Sequence, residues 1–337
     1  MLFRSVLVCR SEKPLDEALR RKLSAFTNVE YEGVISAHDV SPTIYEIPLV
    51  FSEQGLDQFL LRRMNVESRH ADLRAWRDVV RKLKEPKRSV RIGVVGKYMD
   101  LSDAYKSVWE ALCHGGIAND AGVEITRIDS SSLELPGADL AALFAGIDGI
   151  LVPGGFGQRG INGMVSAARY ARENGIPYLG ICLGMQIMAI EWGRDVLGWA
   201  DADSAEFNQD TPHAVVSLLE DQVDVKNFGG TMRLGRNDTC FKEGSKPALA
   251  YGSLTVSERH RHRYEFSNIY RQDYERSGIL IAGLTPDGEL VESLEWPNHP
   301  WGVGVQYHPE FKSRPVQAHP LFSSFVKASL ERGKKRA

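Results

Sequence analysis

The chain has 337 residues, 43% of them hydrophobic, which is enough to bury one large core or two smaller ones. Its 41 basic and 44 acidic side chains nearly balance, so the overall charge gives no sign of a nucleic-acid or membrane partner. The four cysteines lack CxxC spacing and no apolar run reaches the length of a membrane helix, a combination that predicts a cytoplasmic protein with reduced thiols.

The first 88 residues are predicted to form a small unit that contains both strands and helices. Its predicted elements are strands at residues 6–9 and 34–35 and helices at residues 15–24, 56–63 and 71–84. Residues 43–50 are predicted to be an extended segment broken by Pro48. Residues 84–89 are charged, contain a proline and lack apolar side chains, so we place a domain boundary there and predict domains of residues 1–88 and 89–337.

The larger domain begins with strands and helices in alternation, the pattern of a mostly parallel sheet covered by helices. The predicted strands are residues 90–95, 123–128, 149–152 and 178–181, and the helices are residues 102–118, 139–145, 162–173 and 185–192. Side chains at the carboxyl ends of such strands meet at one edge of the sheet.

Beyond residue 211 the pattern changes to short strands and turns, which predicts a hairpin-rich insertion. One hairpin pairs residues 279–284 with 290–294 around a Pro-Asp-Gly turn. Residues 302–306 return to the main sheet, and a final helix covers residues 320–331. The predicted fold class is therefore α/β.

A cysteine lies on a sharp predicted turn. Residues 180–184 (GICLG) follow a buried strand and precede a helix, the order that lifts a nucleophile above the edge of a sheet. Gly180 and Gly184 would let the strand and the helix pass closely, and the start of the helix would favour the thiolate of Cys182. Taken alone, the motif leaves a plain packed cysteine as an equal alternative.

His308 and Glu310 can supply a base and its partner. They follow the predicted strand at residues 302–306, and residues two apart in extended backbone point to the same side, so Glu310 can orient the imidazole of His308. A lone histidine beside a proline is more often structural. Together with Cys182, however, the pair supplies the nucleophile, base and orienting carboxylate of acyl transfer.

A glycine-rich loop at residues 153–157 (PGGFG) follows the strand at residues 149–152. The backbone N–H groups of such a loop can stabilise a developing oxyanion. Without Cys182 and His308, an ordinary glycine-rich turn would be the preferred interpretation.

Three of these motifs, in this order, resemble the glutaminase domain of class I, triad-type glutamine amidotransferases: residues 153–157, 180–186 (GICLGMQ) and 308–311 (HPEF). Further segments resemble the CTP synthase family: residues 95–98 (VGKY), 103–107 (DAYKS), 204–207 (SAEF) and 258–265 (ERHRHRYE). The similarity covers nearly the whole chain. Residues 103–107 and 258–265 favour this family over the glutaminases of GMP synthetase or carbamoyl-phosphate synthetase.

The resemblance implies a flavodoxin-like amidotransferase fold and a role for each matched residue. The catalytic triad would be Cys182, His308 and Glu310. The residues of the oxyanion hole and the glutamine pocket would be Gly155, Leu183, Gly184, Met185, Gln186, Glu206 and Arg263. In the family, the positions of Glu206 and Arg263 bind the amino-acid end of glutamine, and an arginine suits bidentate carboxylate recognition.

The resemblance also implies that residues 1–88 are the last part of the family's amidoligase domain, an incomplete α/β remnant without its nucleotide-binding start. The segment at residues 93–98 (GVVGKY) lacks the spacing and hydroxyl of a phosphate-binding loop. His38, Asp39 and Val40 match the loop beside the ATP adenine, a weak and incomplete site here. We therefore expect this chain alone to bind no cofactor or metal, with ATP, Mg²⁺ and the activator GTP belonging to the intact enzyme.

The activity that the resemblance implies is hydrolysis of L-glutamine to glutamate and ammonia, with the ammonia used for ATP-dependent amination of UTP to CTP. The family is homotetrameric and forms filaments. The chain is expected to be truncated and unable to make CTP alone. The alternative is a non-catalytic regulatory or filament-forming paralogue, which would need none of Cys182, His308, Glu310, Glu206 and Arg263.

Overall fold

The computed structural model describes residues 5–67, 71–101, 103–218 and 232–336. The chain divides into two compact units, Met1–Lys87 and Arg88–Ala337. Within the described ranges, every helix is too short or too polar to cross a membrane.

The first unit contains two parallel strands joined by a helix. Its elements are β1 (Leu7–Ser11), α1 (Glu17–Thr27), β2 (Val34–His38), α2 (Ile47–Glu53), α3 (Leu56–Arg63) and α4 (Arg74–Lys84). Leu7 is in register with Val34, and the side chain of Asp16 caps α1 by accepting a hydrogen bond from the backbone N–H of Leu19 at 2.7 Å. Phe59 of α3 is buried against Gly33, just before β2.

The prediction that residues 43–50 are extended is wrong. A short 3-10 helix, Ile44–Glu46, leads directly into α2, and Pro48 lies in the first turn of that helix. A proline is tolerated there because the first turn of a helix does not need its N–H group for an intrahelical hydrogen bond.

The second unit is a nine-stranded sheet with helices on both faces. Its elements are β3 (Arg88–Gly96), α5 (Lys106–Ala118), β4 (Ala121–Asp129), α6 (Leu140–Leu143), β5 (Gly149–Val152), α7 (Ile161–Glu173), β6 (Tyr178–Ile181), α8 (Leu183–Asp195), β7 (Asp203–Ser204), β8 (Ala214–Leu218), β9 (Arg233–Phe241), α9 (Lys246–Tyr251), β10 (Thr255–His262), β11 (Tyr264–Phe266), α10 (Arg271–Arg276), β12 (Leu280–Leu284), β13 (Val291–Glu295), β14 (Gly302–Val305) and α11 (Pro320–Arg336). The strand order is β10-β9-β12-β13-β14-β6-β5-β3-β4.

The strands from β14 to β4 run parallel to one another, and those from β10 to β13 pair antiparallel. This confirms the predicted α/β fold and the hairpin of β12 with β13. The start of α5 was predicted too early: the helix begins at Lys106, and residue 102 lies outside the described residues. A separate three-stranded sheet contains β11, β8 and β7.

Two apolar cores cover the faces of the sheet. One includes Met164 of α7 and Ile187 of α8, and the other includes Leu112 of α5 and Phe322 of α11. These helices cover both faces of the parallel strands and leave their carboxyl ends accessible, which is where a site in such a sheet is expected.

The antiparallel strands curve back over the parallel ones. In a flat sheet β10 would lie roughly 19 Å from β14, at about 4.8 Å per strand. The backbone N–H of His308, just after β14, nevertheless donates to the carbonyl oxygen of Arg259 in β10 at 2.8 Å. The curvature therefore places the end of β10 beside the carboxyl ends of β14 and β6.

Candidate active site

Cys182 occupies the turn between β6 and α8. Its backbone angles are φ 52° and ψ −102°, a conformation that non-glycine residues rarely adopt. Its N–H donates to the carbonyl oxygen of Val305 in β14 at 2.7 Å, and its side chain is buried. The cysteine is therefore held at the carboxyl end of the sheet by a neighbouring strand.

The glycines on either side of Cys182 are required by close backbone approach. A Cβ atom on Gly180 would overlap the backbone of Gly184, and one on Gly184 would overlap the carbonyl oxygen of Val152. The sequence motif thus corresponds to a strand and a helix that pass too closely for any side chain.

His308 and Glu310 meet as predicted. Nδ1 of His308 lies 2.8 Å from Oε1 of Glu310, and both residues are largely buried. His308 also lies close to the cysteine, as the space beside Gly154 shows. A Cβ atom on Gly154 would be 2.9 Å from Cε1 of His308 and 3.6 Å from Cβ of Cys182. The three segments of the predicted triad therefore converge.

The charge of His308 depends on these neighbours. Burial opposes a charge on the ring, but hydrogen bonding to Cys182 and Glu310 outweighs burial and raises the pKa of His308 to about 10. Nε2 makes no hydrogen bond of good geometry to any residue in the described ranges, so its contact with the sulfur is long or poorly aligned here. Such contacts often shorten only when substrate binds.

The glycine-rich loop lies against the start of α8. A Cβ on Gly155 would be 3.3 Å from Cδ2 of Leu183, so the two residues predicted to form the oxyanion hole are neighbours. Lys97, buried at the end of β3, donates to the carbonyl oxygen of Gly157 and, at 3.3 Å, to that of Phe156. The loop is thus fixed from behind by a lysine side chain.

A small cavity opens above Cys182. Its volume is about 40 Å³, little more than the roughly 30 Å³ of one water molecule in the liquid. The lining residues are Gly155, Phe156, Cys182, Gln186, Glu206, His262, Arg263 and Tyr264. Oε1 of Glu206 accepts a hydrogen bond from the N–H of Gly157 at 3.0 Å, so the predicted ammonium-binding carboxylate is already tied to the glycine-rich loop.

Two predicted site residues, Gly184 and Met185, lie away from the cavity surface, whereas Gln186 lines it. Met185 packs against Gly304 in the core, and Gly184 packs against Val152. The side chain of Gln186 donates to the carbonyl oxygen of Tyr264 at 2.9 Å.

The predicted nucleotide loop belongs to the first unit. His38 ends β2, its Nδ1 lies 3.4 Å from the hydroxyl of Ser36, and the carboxylate of Asp39 pairs with Arg10. Val40 follows Asp39 directly.

A larger groove of about 590 Å³ lies beside β9 and β12 and is lined by none of the predicted site residues. Its size does not outweigh the chemistry of the smaller cavity, which contains the buried cysteine.

The sequence does not predict a role in the site for three residues that the structure places there. Lys97 lies in the segment at residues 93–98, to which the sequence assigns no role in the site, although a lysine next to an apolar strand is a signal. Gln306 donates from Nε2 toward the sulfur of Cys182 at 3.7 Å, and its position directly before Tyr307 and His308 offered a hint. His262 lines the cavity, and only its alternation with the neighbouring arginines set it apart in the sequence.

Comparison with known proteins agrees with this geometry. Residues 100–328 match the family model described as glutamine amidotransferase class-I, and residues 2–66 match the model described as CTP synthase N-terminus. The glutaminase domain of Trypanosoma brucei CTPS, solved with bound acivicin, superposes with a TM-score of 0.68 at 42% identity, covering 72% of this chain and 94% of that one.

Curated relatives extend the similarity over nearly the whole chain. The CTP synthase of Syntrophus aciditrophicus is 48% identical over 332 residues, 98% of this chain and 61% of that protein. That of Aquifex aeolicus is 47% identical over 326 residues, 97% of this chain and 60% of that protein. The chain thus spans about three fifths of the length of these relatives. It belongs to the class I glutamine amidotransferases and, within them, to the CTP synthase family.

Proposed function

We propose that the chain hydrolyses L-glutamine to glutamate and ammonia. The observation that carries the proposal is the convergence of Cys182, His308 and Glu310 beside a cavity lined by Glu206 and Arg263. Glu206 would bind the α-ammonium group of glutamine and Arg263 its α-carboxylate. Gly184, Met185 and Gln186 would shape the pocket from the start of α8.

The reaction proceeds in two steps. The thiolate of Cys182 attacks the side-chain amide carbon, the N–H groups of Gly155 and Leu183 hold the oxyanion, and the C–N bond breaks as His308 protonates the departing ammonia. Water activated by His308 then attacks the γ-glutamyl thioester, the C–S bond breaks and glutamate leaves. Glu310 keeps the imidazole in the required orientation throughout.

In the whole protein, the ammonia would serve the ATP-dependent amination of UTP to CTP. ATP, Mg²⁺, the activator GTP and a homotetrameric, filament-forming assembly belong to this wider proposal, as does a cytoplasmic location. Binding of nucleotide by His38, Asp39 and Val40 is proposed only for the intact site. The described residues contain no group of three or more His, Cys, Asp or Glu side chains that could hold a metal.

The test is the Cys182→Ser variant, assayed for glutamate release from glutamine. We expect loss of activity, because a serine hydroxyl is a much weaker nucleophile than a thiolate. Cys240→Ser is the matched control, since Cys240 is half-buried beside Thr255, outside the cavity, and should leave the rate unchanged. Undiminished activity in Cys182→Ser would exclude the mechanism. Adding UTP and ATP and measuring CTP tests which acceptor takes the ammonia.

A further inference from the structure

Five buried polar side chains lie behind the cysteine pocket and take no part in the proposed reaction. They are Arg233 of β9, His260 and His262 of β10, Glu265 of β11 and Glu292 of β13. The Arg233 side chain is 13% exposed, and the other four are at most 2% exposed. We call them the buried cluster.

The side chains of the buried cluster are arranged in a ring, in which the imidazole pair has hydrogen-bond geometry and the other contacts are ion-pair distances only. Nη1 of Arg233 lies 2.6 Å from Oε1 of Glu292 and 3.6 Å from Oε2 of Glu265. Nδ1 of His260 lies 2.9 Å from Nε2 of His262. The outer contacts are longer: 3.5 Å from Nε2 of His260 to Glu292 and 3.6 Å from Nδ1 of His262 to Glu265.

The pKa shifts within the buried cluster favour one proton shared by its two carboxyl groups. Burial and the charge of Arg233 lower the pKa of His260 to about 2 and that of His262 to about 3, so both rings are neutral. Arg233 is then the one cation facing two carboxyls. Burial raises the pKa of Glu265 and of Glu292 to about 7 each, against the opposing effect of Arg233. One shared proton makes the cluster neutral, and an uncompensated buried charge is costly.

The surrounding charges act on the same groups. The positive charge of His308 lowers the pKa of both His260 and His262 further, and Asp287 raises that of Glu292. The phenol of Tyr307 also faces Glu292 and remains protonated, because burial raises its pKa well above the usual value.

The distances favour one of the two carboxyls as the carrier of the proton. Two neutral imidazoles in contact at 2.9 Å need one donor and one acceptor. Glu292 is the closer partner of Arg233 and is therefore the ionised one, so His260 presents its Nε2–H to Glu292 and accepts at Nδ1. His262 must then donate from Nε2 and accept at Nδ1, which faces Glu265. Glu265 therefore holds the proton.

We propose that this ordered ring makes His262 a positioning residue of the glutamine pocket, with protonated Glu265 fixing its tautomer and orientation. His262 lines the cavity next to Arg263 while both its ring nitrogens point into the buried cluster. A change of tautomer would turn the ring and displace this wall of the pocket. The effect on glutamine binding rests on the proposed glutaminase function, whereas the tautomer itself does not.

The test compares Glu265→Gln with Glu292→Gln in the full chain. A glutamine at 265 still donates to Nδ1 of His262 and leaves Arg233 paired with Glu292, so it imitates the protonated carboxyl. A glutamine at 292 forces Glu265 to ionise as the partner of Arg233, and an ionised carboxylate cannot donate. We expect Glu292→Gln to raise KM for glutamine at least tenfold more than Glu265→Gln does, with kcat changed less than KM.

Nitrogen NMR of histidine in the wild-type chain, without substrate, gives the second readout. We expect His262 to carry its proton on Nε2 from about pH 6 to about pH 8, to keep this state in Glu265→Gln and to lose it in Glu292→Gln. His213→Gln is the control, since His213 pairs with Asp201 at 2.7 Å outside the cluster and should move neither readout.

A proton on Nδ1 of His262 in the wild type, or equal effects of the two glutamine variants on KM and tautomer, would overturn the proposal. If the wild type releases no glutamate, the proposed function fails while the NMR result still decides the tautomer. If Glu292→Gln does not fold, the wild-type and Glu265→Gln spectra decide it alone.

Discussion

Cys182 is held in a strained backbone conformation by its neighbours on both sides. Positive φ in a non-glycine residue costs on the order of 1–3 kcal/mol, and it persists only where the surroundings impose it. Here the constraint comes from the hydrogen bond to Val305 and from the close approach of Gly180 and Gly184. A residue fixed so tightly can present its sulfur without further ordering when substrate arrives.

Glu310 should matter for turnover more than for binding. We expect Glu310→Gln to lower kcat for glutamate release by about 10²-fold or more while changing KM little, because an amide can no longer hold the imidazole of His308 in its charged, correctly oriented form. Steady-state kinetics measures both constants. Since Glu310 does not line the cavity, an effect on KM alone would argue against this role.

The charged state of His308 predicts how stability depends on pH. Its pKa is raised to about 10 in the folded chain, against about 6.5 when unfolded. The stabilisation from its pairing is therefore fully present below about pH 6.5 and is lost as the pH rises through about 10. We expect the free energy of unfolding of the wild type, minus that of His308→Gln, to shrink over this range in denaturant titrations. A difference that stays constant with pH would contradict this.

Residues whose role is local could be predicted from the sequence, and residues whose role depends on folding could not. Cys182, His308 and Glu310 lie in short motifs with their own turn chemistry, and the structure brings them together as expected. Gln306 approaches the sulfur of Cys182, and His262 reaches the cavity, only because β14 and β10 converge there, and no local pattern encodes that meeting.

At the level of elements, the turn between β6 and α8 should tolerate no added side chain. We expect Gly184→Ala to lower stability by about 1–3 kcal/mol and to reduce glutamate release, because the new methyl group would collide with the backbone of Val152. Thermal unfolding and the glutamate assay measure both effects.

Gly333→Ala in α11 is the control for this variant. The atoms nearest to a Cβ there belong to the side chain of Asp148, the closest at 3.2 Å, and alanine favours a helix, so the stability of this variant should stay the same or rise. Equal loss of stability in the two variants would show that crowding at the turn is not the cause.

The elements themselves were predicted unevenly, for physical reasons. The apolar runs of β5 and β6 lie inside a parallel sheet covered on both faces, and such strands can be predicted from their apolar composition. The sequence does not predict the helix α2, because a proline usually interrupts a regular element. In the structure, Pro48 occupies the first turn of α2, where a proline is tolerated. The curvature of the antiparallel strands has no signature in any single strand.

For the whole molecule, the candidate site lies within one of the two compact units. All residues of the triad, the glycine-rich loop and the cavity belong to Arg88–Ala337. We therefore expect a protein of residues 88–337 to fold and to release glutamate from glutamine, with circular dichroism and the glutamate assay as the measurements. A folded but inactive product would show that the site needs residues 1–87.

The hydrogen bond from His308 to Arg259 joins the two ends of a run of strands, β10 to β14, that would otherwise be an open ribbon. Because these strands are connected at both ends, a displacement between any two neighbouring strands must be accommodated by the other strands of the run. A force or a bound molecule that shifts β9 against β10 would therefore move His308 through its backbone hydrogen bond, even from the far edge of the sheet.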